Sequence, residues 1–188
     1  MGLNNMSCSD GGGRTINQFA VVSYLPSPLA QFLDDLRLRL TPGCNPHAHV
    51  TVLPPRPLDC ATNLSEAIRE LGIQSADFKP FEVRLGAIKI FPVSNVIFAE
   101  LASGTEELHR LHMRLNSGLV EYVCPFPYHP HITVAQDIPV DEVRQTADQA
   151  QAAWEEYSGP RSFVVDDMSF VQNVARNLWV DIARIPLG

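Results

Sequence analysis

Two short strings in this chain carry the same chemistry. His49-Val50-Thr51-Val52 recurs 82 residues later as His131-Ile132-Thr133-Val134. In an extended strand alternate residues share a face. Each string therefore offers an imidazole and a hydroxyl on one side and two aliphatics on the other. In-line cleavage of a phosphodiester needs one proton removed from the attacking oxygen and one delivered to the leaving oxygen, on opposite sides of phosphorus. Two imidazoles facing each other across a cleft meet both needs, because histidine titrates near neutrality and one can be neutral while the other is charged. Threonine hydroxyls can donate to the non-bridging oxygens, where charge must be held. Such a scheme requires no metal and no cofactor. It makes His49 and His131 the candidate catalytic pair, with Thr51 and Thr133 as phosphate ligands.

The surrounding elements repeat as well. Phe19 to Leu25 is a β-branched and aromatic run and predicts a strand. Leu29, Phe32, Leu33, Leu36 and Leu40 predict an amphipathic helix over 28–40, stopped by Thr41-Pro42-Gly43. The first motif then reads as a strand over 49–53, ended by the prolines at 54, 55 and 57. A short helix over 63–71, closed by Gly72, and strands over 81–91 and 96–101 follow. Ser103-x-x-Glu106 resembles a capping box for a helix carrying Leu108, Leu111, His112, Leu115 and Leu119. After the second motif, Asp137 and Pro139 open a helix with Val140, Val143, Ala147, Ala150 and Trp154 on one face. Two final strands, near 162–171 and 177–185, read as a hairpin. This order points to an α+β fold with antiparallel sheets. The repeat points to two related lobes about a pseudo-two-fold axis.

Composition narrows the setting. The 188 residues are 45% hydrophobic, enough for a core in one domain, here expected over 17–188. The formal charge of −7 and just two lysines, Lys79 and Lys89, argue against coating of long nucleic acids, which demands a basic face. A small phosphate ester can still find a locally positive pocket. Cys8, Cys44, Cys60 and Cys124 form no C-x-x-C pair and read as reduced thiols of a cytoplasmic protein. Residues 1–16, rich in Gly, Ser and Asn, read as a flexible tail. They lack the apolar stretch of a signal peptide, and Met6 spoils a myristoylation pattern at Gly2. No apolar run approaches a membrane span, and a monomer is expected.

At this point the residues match a known family. HVTVLPP and YHPHITVA, in two halves of a chain of this size, resemble the paired H-x-T/S-x motifs of the 2H phosphoesterase superfamily. The nearer resemblance is to its bacterial branch of 2'-5' RNA ligases and RNA 2',3'-cyclic phosphodiesterases, over residues 17–185. The resemblance implies two pseudo-symmetric lobes, each an antiparallel sheet with helices on its outer face, around a central cleft. It implies hydrolysis of a nucleoside or RNA-terminal 2',3'-cyclic phosphate, usually to a 2'-phosphate, and reversible 2'-5' joining in some members. It places His49 and His131 as the acid–base pair, with His131 favoured as the base, and Thr51 and Thr133 on the phosphate.

Other residues near the motifs invite roles. Arg56 could attract phosphate, and Phe91, Phe126 or Tyr128 could stack on a base. Phe91 and Tyr128, with Arg56, are the ones assigned to substrate. His47 and His129 share the parity of the motif histidines and could line the rim, or join them in a metal site. His112 is expected to pack and His109 to be solvated. The competing functions are a 2H enzyme on another small phosphodiester (a cyclic phosphate of ADP-ribose, a 2'-5' oligoadenylate, an RNA 3' end), a non-catalytic nucleotide-binding module, and a metal-dependent hydrolase.

Overall fold

The computed structural model describes residues 16–59 and 61–188. Cys8, Cys60 and nearly all of the expected N-terminal tail lie outside them; Cys44 and Cys124 are free thiols. The chain runs β1 (Phe19–Tyr24), α1 (Leu29–Leu40), β2 (His49–Arg56), α2 (Leu64–Ser75), β3 (Phe81–Ile90) and β4 (Ile97–Ser103). It continues with α3 (Thr105–Leu115), a 3-10 turn (Gly118–Val120), β5 (Ile132–Ala135), α4 (Val143–Glu156), β6 (Ser162–Val165), β7 (Asp167–Ala175) and β8 (Leu178–Pro186). The strands form two four-stranded antiparallel sheets, ordered β2-β1-β7-β8 and β5-β4-β3-β6. This is the bilobal α+β arrangement expected from the repeat.

Helices cover the sheets crosswise. α2 packs on β8 and α3 on β2, whereas α4 packs on β3 and α1 on β5. One apolar core therefore runs behind both sheets, drawing Val50 and Val52 from one motif and Ile132 and Val134 from the other. All four are fully buried, and each such side chain contributes about 1.5–3 kcal/mol. The motif strands are thus pinned by their aliphatic faces. Slipping either by one residue would swap core and cleft faces.

Several sequence expectations shift for physical reasons. β2 continues through Pro54 and Pro55 to Arg56 because it is an edge strand, where a missing N–H is tolerated. α2 runs past Gly72 to Ser75, whose single hydroxyl proton is shared between Gly72 O and Pro186 O, each 3.1 Å from Oγ. Packing of Ala67 and Leu71 outweighs the roughly 1 kcal/mol cost of a helical glycine. No capping box forms at Ser103. The helix starts after Gly104, whose φ of 87° suits glycine, and a Cβ there would lie 2.7 Å from Val83 Cγ2. Asp137, at φ 58°, turns the chain away, so α4 begins at Val143 and Val140 is exposed. The stretch read as one strand over 162–171 is two. β6 pairs with β3, the chain changes sheet at Asp166, and β7 pairs with β1. Among the described residues no helix is long and apolar enough to cross a membrane.

Candidate active site

The two motifs end on facing edges. β2 is the outer strand of one sheet and β5 of the other, and β2 and β5 contact each other where the sheets meet. His49 opens β2 opposite Tyr24, and Thr51 lies opposite Val22. His131 immediately precedes β5, and Thr133 pairs with Phe98. Both imidazoles and both threonines are half-buried, while the intervening aliphatics are buried.

The two histidines share one local geometry. His49 Nδ1 lies 2.6 Å from His47 O, and His131 Nδ1 lies 2.7 Å from His129 O. A carbonyl can only accept, so Nδ1 carries the hydrogen in both rings and Nε2 is left with a free lone pair. The upstream histidines thus serve through their carbonyls. Their rings do something else: His47 lies flat on Tyr24 at 3.6 Å, and His129 meets Phe91 and Phe98 edge-on at 5.2 and 5.7 Å. Among the described residues no three His, Cys, Asp or Glu side chains form a group able to hold a metal.

Electrostatics makes both rings reluctant to charge. Burial pushes His49 down to about 4, helped by the charges of Arg37, His47 and His131 and opposed by the hydrogen bond to His47 O. His131 is also lowered, chiefly by burial and then by His129, against its own carbonyl bond. The charge of Arg37 is among the influences that lower His49, whereas the neighbouring charge that lowers His131 is that of His129.

A cavity of about 720 Å³ opens on the β2-β1-β7-β8 side of the cleft. His49, Thr51 and Thr133 line it, together with Tyr24 and Trp179. His131 stands outside its lining, its ring edge-on to Phe91 at 4.8 Å and Phe98 at 5.4 Å. Phe91, stacked on Phe98 at 3.9 Å, lies beside the His131 ring and, like it, outside the cavity lining.

Two assigned substrate residues are elsewhere. Arg56 is buried and lies outside the cavity lining. Its guanidinium donates to Asn116 Oδ1, to Val120 O at 2.8 Å and to Pro54 O at 2.9 Å, and sits 5.9 Å from the Tyr122 ring. It latches β2 to the segment after α3 because its own strand turns it inward. Arg56→Met should lower stability by about 1–3 kcal/mol, since the accepting oxygens lose their donor, and leave kcat unchanged. Thermal melts with steady-state kinetics check this. Tyr128 donates to Thr51 O at 2.8 Å, and its ring stacks on His112 at 3.9 Å, with His109 edge-on at 5.1 Å. It ties the loop before β5 to β2 instead of offering a face to substrate. His112 packs as expected, bonded through Nδ1 to Val52 O at 2.7 Å, and Phe126 is exposed.

Comparison with known proteins agrees with this geometry. A family model described as the 2'-5' RNA ligase superfamily matches residues 25–177. The chain belongs to that superfamily, the 2H phosphoesterases. A candidate phosphoesterase of Bacillus licheniformis is 31% identical over 129 residues, 66% of this chain and 72% of that protein. The fold is shared with Escherichia coli LigT complexed with NADP+, at 19% identity and TM-score 0.60, over 91% of this chain and 97% of that one. Kluyveromyces marxianus Usb1 shares it at 13% identity and TM-score 0.54, over 91% and 98%. As a 2H phosphoesterase, this chain acts on phosphodiesters by hydrolysis or ligation.

The sequence reading missed Tyr24, Phe98, Arg37 and Trp179. Tyr24 stacks on His47, meets His49 edge-on at 6.3 Å and donates to Asp181 Oδ1 at 2.7 Å. Strand parity could have found Tyr24, two positions after Val22 on the face that strand shares with Thr51. Trp179 lies on a hairpin that no motif marks.

Proposed function

We propose that this 2H phosphoesterase hydrolyses a 2',3'-cyclic phosphodiester, on a nucleoside or a short RNA terminus, with His49 and His131 as general base and general acid. The observation that carries this reading is the matched pair of Nδ1 bonds, which leaves both Nε2 atoms free on the edge strands that meet. LigT, which has this fold, has been crystallised with phosphate and with 3'-AMP, which supports a phosphate ligand in this cleft. Two imidazoles carry both proton transfers, so the scheme includes no metal.

Water attacks phosphorus opposite the 3' oxygen. One imidazole Nε2 takes the water's proton as the P–O bond forms, and the other gives its proton to the 3' oxygen as the P–O3' bond breaks, leaving a 2'-phosphate. Thr51 and Thr133 donate to the non-bridging oxygens. The resemblance favoured His131 as base. The surroundings favour the reverse, because burial and the charges of Arg37, His47 and His131 push His49 down to about 4, whereas His131 is lowered by burial and by the charge of His129 alone among its neighbours. His131 then enters the reaction protonated and His49 neutral. With a 5'-hydroxyl in place of water, the same transfers join two ends through a 2'-5' linkage.

A nucleoside 2',3'-cyclic phosphate should be hydrolysed in the presence of EDTA, and product analysis should find the 2'-phosphate. The pH profile of kcat/KM reports the free enzyme. Its acid limb follows protonation of the neutral imidazole near pH 4 and its basic limb follows loss of the proton from the other, so the maximum should fall below the ordinary histidine value of 6.5. Both limbs belong to the coupled pair. The bound phosphodiester anion favours the charged imidazoles, so the kcat profile should peak at higher pH. Turnover abolished by EDTA and restored by a divalent ion would overturn the reading.

A further inference from the structure

Arg37 and Thr41 stand one turn apart at the C-terminal end of α1, and nothing in the mechanism above uses them as ligands. Arg37 is 9% exposed, yet no hydrogen bond or ion pair of its guanidinium occurs among the described residues. Thr41 Oγ1 is buried without a hydrogen-bond partner. Both residues line the cavity that holds His49 and Thr51. Most of the Arg37 side chain is buried, while its nitrogens are not among the buried partnerless atoms and so stay open to the cavity it lines. The carbonyl end of α1 suits its charge, since cations are favoured at helix C-termini, but it leaves the guanidinium donors unbonded. Asp34, one turn back, feels the charge of Arg37. It does not line the cavity, and no ion pair joins the two. Two donors on the wall of the cavity that holds His49 and Thr51, neither with a protein acceptor among the described residues, suit an anion.

We infer that Arg37 and Thr41 form a subsite for a second phosphate of the substrate, separate from the phosphodiester cleaved between His49 and His131. A guanidinium fork matches phosphate oxygens in pairs, and a neighbouring hydroxyl adds a third donor. Arg176, exposed on the β7–β8 hairpin, lines the same cavity and adds positive charge at its mouth. The volume of about 720 Å³ accommodates a nucleotide carrying both groups. The inference rests on the cyclic-phosphodiesterase reading. If the histidines take the 2',3' ring, the second phosphate is the one on the 5' side of the same nucleoside, either a monoester or the internucleotide diester of an RNA end.

The test compares kcat/KM for adenosine 2',3'-cyclic phosphate, its 5'-phosphorylated form, and the dinucleotide ApA ending in the same cyclic phosphate. The last two should exceed the first by about tenfold to a hundredfold, the usual weight of charge-assisted hydrogen bonds. A preference confined to the monoester would name a free 5'-phosphate as the ligand. Arg37→Gln should bring the ratio close to one, and Thr41→Val, which keeps side-chain shape if the arginine variant fails to fold, should reduce it. The ratio is the readout because Arg37 also disfavours a proton on His49, so its loss changes the rate on every substrate. Equal kcat/KM for all three in the unmutated enzyme overturns the subsite and leaves the cyclic-phosphodiesterase reading standing. If none is hydrolysed, that reading fails and calorimetry decides the subsite. Adenosine 2',5'-bisphosphate should bind at least about tenfold tighter than adenosine 2'-monophosphate, and equal affinity overturns it.

Discussion

His131→Ala should lower kcat on a nucleoside 2',3'-cyclic phosphate by about 10²–10⁴, the ordinary weight of one positioned proton transfer, and should regain most of that loss on bis(p-nitrophenyl) phosphate. The leaving 3' alkoxide of the cyclic substrate must be protonated as it departs, whereas p-nitrophenolate leaves without help. If His131 is the acid, its absence matters only for the first. His49→Ala should show a deficit of similar size on both substrates, because water must lose its proton either way. The double variant should be little worse than the worse single one, since the two groups act in one step. Steady-state kinetics on the two substrates decide the matter. Rescue of His49→Ala in place of His131→Ala would reverse the roles, and an unchanged rate in either variant would remove that residue from the mechanism. Thermal melts guard against a packing artefact, because the His131 ring sits against Phe91 and Phe98.

The sequence made the motif strands legible because their order is local. Period-two alternation sets His49 and Thr51 against Val50 and Val52, and nothing beyond the strand is needed to see it. The repeat then implied two lobes. What stayed hidden depends on contacts between distant segments. Arg56 is one position beyond Pro54-Pro55 and reads as a loop charge, yet Asn116 and Val120, 60 and 64 residues away, draw it inward. Tyr128 looks like a cleft aromatic until Thr51 O and His112 claim it. The break at Asp166 leaves no trace because both halves of 162–171 are strand-like, and only pairing partners reveal that they belong to different sheets. Arg37 was absorbed into a helix, where a cation near the C-terminus needs no special explanation. Its place on the cavity wall without a protein acceptor is visible only once the cavity exists.

The lobes repeat in backbone and differ in what surrounds each histidine. On the β2 side the imidazole shares a large cavity with Arg37 and Thr41. On the β5 side it is walled by Phe91 and Phe98. If the two histidines act as a pair, that difference would give the rings unequal proton affinities, with Arg37 among the charges that lower His49 and His129 the charge that lowers His131. In the proposed mechanism this asymmetry is what would give the pair its direction.

The threonines test whether the cleft holds charge as well as moving protons. Both residues line the cavity. They face the same space from different sheets. Thr133→Val keeps shape and removes the donor, and should lower kcat by about 10² with little change in KM, because a donor aimed at the non-bridging oxygens strengthens as charge develops there. Thr51→Val should behave alike. The two losses should multiply in the double variant if each hydroxyl serves its own oxygen, and fall short of the product if both converge on one. A rise in KM with kcat intact would mean that the hydroxyls hold ground state and transition state equally, and electrostatic stabilisation of the transition state would then have to come from elsewhere in the cleft.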